Sequence, residues 1–474
     1  MEYYAILTVS TIVISVLALA AFRKSREVGV IVGSAALYYW SLFGAWYVVI
    51  DKSGGFSGKS YHYLEYKMFP VYLDDNYVAT LVSYAAFVIL AQVTLLVALP
   101  AAEDRDREVP RLLLRHEPIL LISALAAVAS IFIIMDKVST AWDLNTSAYL
   151  YTRTQTDEWF TTHQVLNRLA LIPPSIGLAT LLAGKRSRFF FTQANTVVRL
   201  GYLGIFGVMG LFTFVLGNKN EVFVAFLAGM LCYLSSVRRP NYVKVGFALA
   251  AGFWFLYSID FFRSVPISEM QSAVEERVNE ATEVGKFLTS SNEAYAAHFS
   301  LYGVLSNQVP PQFGFSIYSL ACSVIPRVFW PDRPPDIYAY YSESVGAIQG
   351  QGYSLHHATG WYLNFGYPGI GLGAIVLGLV WAYSMRARTR ITEKTGLIFR
   401  LAAVVGPWLF VAGLPPLVRA GPEAYKGMFI EGLLIPVGTL LFACRLRKKD
   451  RLALSATEPV LLVSVERKAI KILS

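Results

Sequence analysis

The chain alternates long apolar stretches with short polar connections, and this pattern sets the expected architecture. Eleven stretches approach the ~20 apolar residues that a helix needs to cross the hydrocarbon core of a membrane. We predict transmembrane spans at 3–22, 28–50, 76–99, 117–135, 164–184, 199–217, 221–236, 243–262, 368–385, 397–417 and 427–444. The predicted fold class is an all-α polytopic membrane protein with about eleven transmembrane helices.

The lengths of the connections divide the chain into four parts. Spans one to eight form a transmembrane bundle over 1–262, and spans nine to eleven occupy 368–444. Between them, 263–367 is too long for a simple linker and is predicted to form a large loop on one face of the membrane. The remaining residues, 445–474, form a tail.

Three local expectations concern helices. Residues 270–300 are rich in Glu, Ala and Val and are predicted to be helical. Residues 313–330 are apolar and aromatic but interrupted, which favours an interfacial or re-entrant helix over a further span. In span five, Pro173 and Pro174 are expected to break the helix.

Basic residues are concentrated on one side of the predicted membrane. The six segments that follow odd-numbered spans hold 22 Lys and Arg residues, whereas the four short connections of the opposite side hold eight. By the positive-inside rule, this bias predicts an outer amino terminus and a cytoplasmic carboxyl terminus. The first apolar stretch is followed, not preceded, by basic residues, which favours a membrane span over a signal peptide.

Composition supports the membrane class and excludes several others. The 474 residues are 55% hydrophobic and only 15% charged, whereas soluble domains are closer to 25% charged. The basic residues that give the chain its net charge of +9 lie in short runs between the predicted spans. This placement argues against a nucleic-acid partner. Neither the three cysteines nor the acidic pairs have metal-site spacing. No nucleotide-binding Gly-rich loop is present, so no metal, nucleotide sugar or other cofactor is expected.

Cations stand at several of the predicted outer helix ends. Arg168, Lys219, Arg263 and Arg419 belong to different spans or turns. Single residues of this kind also extend to lipid phosphates. If the bundle brings them together, however, they form a site for an anionic lipid headgroup such as a pyrophosphate, which Arg binds through its planar fork of donors.

The long loop contains the densest group of candidate binding residues. Four prolines in 325–336 favour a rigid, extended path that also carries Arg327, Trp330, Asp332 and Arg333. Aromatic faces beside Arg and Asp are suited to a sugar ring, whose hydroxyls bond the polar groups.

A second group of candidates follows in the same loop. His356 or His357 is a candidate general base near neutral pH. Glu343 could orient a histidine or accept the proton itself. Asn364, in the run Tyr-Leu-Asn-Phe-Gly over 362–366, joins the candidates for sugar binding.

These motifs together resemble the Wzy-type oligosaccharide repeat-unit polymerases. The resemblance rests on Ile-Pro-Arg-Val-Phe-Trp-Pro-Asp-Arg-Pro (325–334), the two histidines and the 362–366 run, with basic residues at Arg168, Lys219 and Arg419 in matching places. It covers roughly 160–430. The chain departs from the pattern at Lys219, where many members carry Arg, and at Gly360, where many carry an acidic residue.

The resemblance implies a GT-C-like glycosyltransferase at the periplasmic face of the bacterial inner membrane. Such an enzyme moves a growing glycan from undecaprenyl pyrophosphate onto a new lipid-linked repeat unit, with a chain-length regulator as a conceivable partner. Arg263, Arg327, Arg333, Arg419 and Lys219 would hold the pyrophosphate, and a histidine would accept the acceptor's proton. An O-antigen ligase, a transporter or flippase for lipid-linked sugars, and a structural subunit of a glycan assembly complex remain as alternatives.

Overall fold

The computed structural model describes residues 2–50, 72–100, 110–154, 158–192, 196–262, 265–269, 272, 293–325, 329–330, 332–346 and 354–446. The helices, numbered in chain order, are α1 (Glu2–Ser25), α2 (Val28–Tyr38), α3 (Gly44–Ile50), α4 (Asp75–Ala98), α5 (His116–Asp143), α6 (Ala148–Thr154), α7 (Glu158–Ala183), α8 (Thr196–Leu216), α9 (Lys219–Ser236), α10 (Tyr242–Phe262), α11 (Glu293–Ser306), α12 (Phe315–Ser323), α13 (Ile337–Ser344), α14 (His357–Phe365), α15 (Tyr367–Thr389), α16 (Leu397–Val418), α17 (Ala424–Lys426) and α18 (Ile435–Ala443).

Nine helical segments in the described ranges are long and apolar enough to cross a membrane. They coincide with nine of the predicted spans, and the other two predicted spans coincide with α9 and α10. The predicted all-α, multi-pass membrane architecture is therefore confirmed at this level. The count of eleven spans, the GT-C fold and the side of the membrane on which each terminus lies stay predictions.

Two spans contain wide helical turns. Residues Tyr39–Phe43, between α2 and α3, and Gly427–Leu434, between α17 and α18, are π-helical. π-Helical turns are rare in proteins, and many of those that occur lie at functional sites. Both lie next to the candidate site described below.

The expected break at Pro173 and Pro174 is wrong, because α7 continues through both residues. Each proline removes an N–H from the helical ladder and leaves a carbonyl four residues earlier without its usual donor. The Ser123 hydroxyl of α5 donates to one of these, the Leu169 carbonyl, at 3.3 Å. A neighbouring helix thus supplies a donor that proline cannot, as is common in membrane bundles.

A small sheet of β1 (Leu112–Leu114), β2 (Phe190–Thr192) and β3 (Cys444–Arg445) closes one end of the bundle, called here the sheet face. The strand order is β2-β1-β3, with a parallel and an antiparallel pairing. These strands follow spans three, five and eleven. Their pairing places all three connections at the same end of the bundle, as the alternation of spans requires.

The described parts of the long connection lie at the opposite end, called here the loop face. A buried hydrogen-bonded chain attaches them to span two. The Tyr77 hydroxyl lies 3.0 Å from His298 Nε2, whose other ring nitrogen donates to the Ser41 carbonyl at 2.9 Å. His356 Nε2 lies 2.9 Å from the Ser41 hydroxyl. The chain places α11 and α14 on top of the bundle.

Helix α12 lies within the stretch predicted to be interfacial, and it carries its polar residues inward. Ser316, Ser319 and Cys322 are buried, whereas Ile317 and Tyr318 are exposed. The predicted helix over 270–300 is confirmed where α11 begins, and residues 273–292 lie outside the described residues. An apolar outer face on α12 fits a helix in the membrane interface, a placement that stays a prediction.

Candidate functional site

The turn at residues 419–426, which joins spans ten and eleven, is the meeting point of the loop face. The Arg419 guanidinium lies 5.6 Å from the centre of the Trp40 ring. His357 donates its Nδ1–H to the Ala420 carbonyl at 2.9 Å. The Ile337 N–H donates to the Glu423 carboxylate at 2.9 Å. Segments from span two, α13 and α14 thereby fix the 419–426 turn.

Two glycines allow this close approach. A Cβ added to Gly360 would lie 2.8 Å from Gly421 Cα and 3.0 Å from the Pro422 ring. A Cβ added to Gly421 would lie 2.6 Å from Glu423 Oε2. Gly360 therefore has a packing reason to lack a side chain, and Glu423 supplies a carboxylate nearby.

Glu423 has the most unusual environment of the described carboxylates at this face. Its Oε1 accepts from Ile337 N–H, whereas Oε2 is buried without a hydrogen-bond partner among the described residues. Burial raises the pKa of Glu423 to about 7, and the neighbouring Asp336 adds to the rise. The neighbouring backbone N–H groups and the Ser316 hydroxyl lower the pKa and so oppose this rise. The carboxyl is therefore poised to exchange a proton near neutral pH.

An ion cluster lies beside the turn. Arg168 of α7 donates to Glu431 Oε2 at 2.5 Å, and its Nε lies 3.9 Å from Glu221 Oε1. Lys426 Nζ lies 3.9 Å from the other oxygen of Glu431. These two cations and two carboxylates come from spans five, seven and eleven. The Arg168 and Lys426 side chains keep 20% and 22% of their surface exposed, so an anion can reach both.

Arg333 adds a further positive charge to this cluster. It lies close enough to Lys426 for a direct electrostatic interaction, as does Arg168. Its guanidinium donates to the Ser323 and Ile325 carbonyls at 2.8 and 2.9 Å, at the end of α12. With Arg333 included, three cations and two carboxylates lie close together beside the turn.

Both predicted catalytic histidines are fully buried and hydrogen-bonded at both ring nitrogens. His356 accepts from Ala358 N–H at 3.1 Å and reaches Ser41, and His357 accepts from the Trp361 indole N–H at 3.1 Å. Burial lowers the pKa of His357 to about 4 and that of His356 further below its usual value. A catalytic role for either histidine stays a prediction. In the structure, their hydrogen bonds hold α14 against span two and against the 419–426 turn.

The structure does not gather the remaining predicted residues into one place. Asn364 is buried, and its amide group bonds Ser316 and the Gly360 carbonyl, so its side chain has a structural use. Glu343 and Asp332 are exposed, and Trp330 is half-buried. Lys219 begins α9 at the loop face. Arg263 and Arg327 lie outside the residues whose side chains are described.

Sequence reasoning also missed a polar cluster inside the bundle. Ser130 donates to Asn167 at 2.7 Å, and Asn167 lies 3.0 Å from His163. Asn218, next to the ion cluster, lies 3.5 Å from the same ring nitrogen. The available signal was polar residues at helical spacing within apolar spans four and five, since such residues are costly in lipid.

An apolar groove of about 550 Å³ runs between α4 and α15. Its walls include Val82, Leu90, Ile370 and Phe87, and Asp75 lies at one end. The Phe87 ring packs edge-on against His357, with centroids 6.2 Å apart. The groove is thus separated from the 419–426 turn by one layer of aromatic side chains.

Among the described residues, no three His, Cys, Asp or Glu side chains form a group able to hold a metal ion. Comparison with protein family models, with curated proteins and with solved structures found no match to this chain.

Proposed function

We propose that this protein is a Wzy-type polysaccharide polymerase. It would transfer a growing glycan from undecaprenyl pyrophosphate onto a new lipid-linked repeat unit, at the periplasmic face of a bacterial inner membrane. One observation carries the proposal: cations from span five, the long connection and the last span (Arg168, Arg333 and Lys426) converge beside a buried carboxyl at the 419–426 turn.

The chemistry of a pyrophosphate donor suits this cluster. Breaking the glycosidic bond leaves negative charge on the pyrophosphate, and fixed cations stabilise that charge. Arg168 holds a carboxylate oxygen of Glu431 at 2.5 Å, and a phosphate oxygen has the geometry to compete for the same donors. Arg419, above the Trp40 ring, adds a cation on the adjacent side of the turn.

The groove between α4 and α15 supports a lipid-linked substrate. Its lining is apolar along most of its length, and Val82 is 49% exposed. An isoprenoid chain buries apolar surface there while its headgroup stays at the loop face. The groove and the cation cluster together match a substrate with an apolar tail and an anionic head.

Two other functions remain as alternatives. An O-antigen ligase would use the same donor and the same cations, and the resemblance of 325–334 to polymerases favours the polymerase. A transporter for lipid-linked sugars would place polar groups near the middle of the membrane. The Ser130, His163 and Asn167 cluster is polar and lies inside the bundle, but it is internally hydrogen-bonded and adjoins Arg168 at the loop-face end of span five.

The deciding experiment is a gel of surface and lipid-linked glycans from cells that lack the protein. Loss of long chains with retention of single repeat units supports a polymerase. Full-length polymer retained on the lipid carrier supports a ligase, and repeat units retained on the cytoplasmic side support a transporter. An unchanged profile of both pools contradicts all three functions.

Substitution tests the cation cluster itself. We expect Arg333→Ala, Arg419→Ala and Lys426→Ala each to abolish long chains when returned to the deleted strain, because each removes charge from the pyrophosphate site. Arg386→Ala is the matched control, since Arg386 is exposed near the sheet face. Protein amounts are checked by immunoblot of membranes. Long chains of normal length from all three variants would overturn the assignment.

A further inference from the structure

The carboxyl of Glu423 is the one strongly perturbed acidic group in the described part of the chain, and neither the sequence motifs nor the cation cluster explains it. Its two oxygens have different environments. Oε1 is used by Ile337 N–H, whereas Oε2 has no hydrogen-bond donor among the described residues. A buried acceptor without a donor costs free energy, which is unusual unless the atom has another use.

Gly421 lies directly beside Oε2. A Cβ added to Gly421 would be 2.6 Å from this oxygen and 2.5 Å from Ile337 Cγ2. The Ser316 hydroxyl, which accepts from the Asn364 amide at 2.7 Å, is a neighbouring polar group that lowers the pKa of the carboxyl. Glu423 also starts the turn of chain that ends at Lys426, a member of the cation cluster. An acceptor hydroxyl at Oε2 would therefore lie beside a donor pyrophosphate held by the cations.

We propose that Glu423 is the general base that accepts the proton of the acceptor sugar hydroxyl, an inference that rests on the polymerase function proposed above. In this step the acceptor O–H bond breaks, and its proton moves to Oε2. The acceptor oxygen forms the new bond to the anomeric carbon of the donor glycan. The bond between that carbon and the pyrophosphate oxygen breaks, and its electron pair leaves with undecaprenyl pyrophosphate, where the cations balance the charge.

The role requires a carboxylate that is ionised at working pH yet basic enough to take a proton. The pKa of Glu423, raised by burial to about 7, matches the pH at which a general base is most effective. A raised pKa means that the carboxyl is protonated below pH 7 and ionised above it. Activity should therefore rise with pH through about 7 and disappear in acid.

The experiment compares purified wild-type protein with Glu423→Gln in lipid nanodiscs. The substrate is the lipid-linked repeat unit extracted from cells that lack this protein, and initial rates are measured from pH 5 to pH 9. Gln keeps an oxygen for Ile337 N–H but cannot accept a proton. We expect the rate to fall about 10²–10⁴-fold, the usual contribution of general base catalysis, and the rise near pH 7 to disappear. Glu393→Gln, an exposed residue near the sheet face, serves as the control and keeps the wild-type profile.

A second variant tests the free oxygen. Gly421→Ala places a methyl group 2.5 Å from Ile337 Cγ2 and 2.6 Å from Oε2, so it should displace the carboxyl and lower the rate. Gly406→Ala, whose added atom meets Leu433 at an ordinary 3.9 Å, should retain the rate.

Binding of undecaprenyl pyrophosphate alone, measured by native mass spectrometry, separates the two proposals. Glu423→Gln should bind it as the wild type does, because the cations are intact. Wild-type rates or an unchanged pH profile in Glu423→Gln would overturn the role of Glu423, as would loss of binding. If the wild-type protein neither binds undecaprenyl pyrophosphate nor lengthens the glycan, the polymerase function itself fails.

Discussion

Arg388 shows how this chain accommodates a charge in its interior. Its guanidinium lies between the Phe189 and Trp408 rings, 5.1 and 4.8 Å from their centres. It bonds Glu27 at 2.7 Å and the Val404 carbonyl at 2.6 Å. Breaking such a buried pair costs about 3–5 kcal/mol, mostly because the remaining charge keeps no partner. The pair joins the ends of spans one and nine at the sheet face.

We predict that Arg388→Ala lowers the thermal stability of the protein in detergent by at least several degrees. The variant loses two aromatic contacts and the 2.7 Å ion pair with the Glu27 carboxylate, which is 13% exposed. Arg386→Ala, two residues away and exposed, should melt like the wild type. Intrinsic tryptophan fluorescence during heating measures both. Equal melting temperatures for the two variants would mean that the ion pair does not stabilise the bundle.

The sequence shows which residue types occupy the turn and the long loop, but it does not show which of them contribute to the site. Arg333 and Arg419 were identified because cations at predicted outer segments are informative alone. The importance of Glu423 depends on Ile337 and Gly421, since its burial comes from contacts distant in sequence. The histidines were predicted to be catalytic because His titrates near neutral pH, and only tertiary contacts show that both are enclosed.

At the scale of helices, α4 and α15 approach each other through glycine. A Cβ added to Gly378 would lie 2.5 Å from the Ala91 carbonyl oxygen and 2.7 Å from Thr94 Cβ. Small residues allow two helices to approach closely in membrane proteins. Helix association there depends on van der Waals packing, because lipid provides no hydrophobic driving force between helices. The same two helices separate toward the loop face and form the groove there.

We predict opposite results for two glycines of α15. Gly378→Ala should destabilise the protein by about 1–3 kcal/mol, because overpacking must push the helices apart. Gly371→Ala, whose added atom meets Leu90 at 3.8 Å, should be neutral or stabilising by up to about 1 kcal/mol, since Ala favours helix over Gly. The measurement is resistance to chemical unfolding in micelles. A greater loss in Gly371→Ala than in Gly378→Ala would contradict this packing.

Helical spans were predictable because apolar content over ~20 residues is a local property. The continuity of α7 through Pro173 and Pro174 was not, because it depends on a hydroxyl from α5. The sheet was also missed. Its strands, Leu112–Leu114, Phe190–Thr192 and Cys444–Arg445, are two or three residues long and far apart in the chain, so no local alternation marks them.

At the scale of the whole molecule, the two faces predict a simple labelling experiment. The three native cysteines are buried, so the wild type should react poorly with a membrane-impermeant maleimide. Cysteine introduced at exposed Glu343, on the loop face, should react in intact spheroplasts. Cysteine at exposed Lys185, on the sheet face, should react only after permeabilisation. The reverse pattern would invert the orientation predicted from the basic residues.

The sheet also has a consequence for the order of synthesis. β1 and β2 can pair once the ribosome has released residue 192, but the second edge of β1 receives β3 only when the last span is complete. Until then, β1 presents an open edge, which is a site for unwanted association with another chain. Pairing with Cys444 and Arg445 closes that edge only after the final helix has been made.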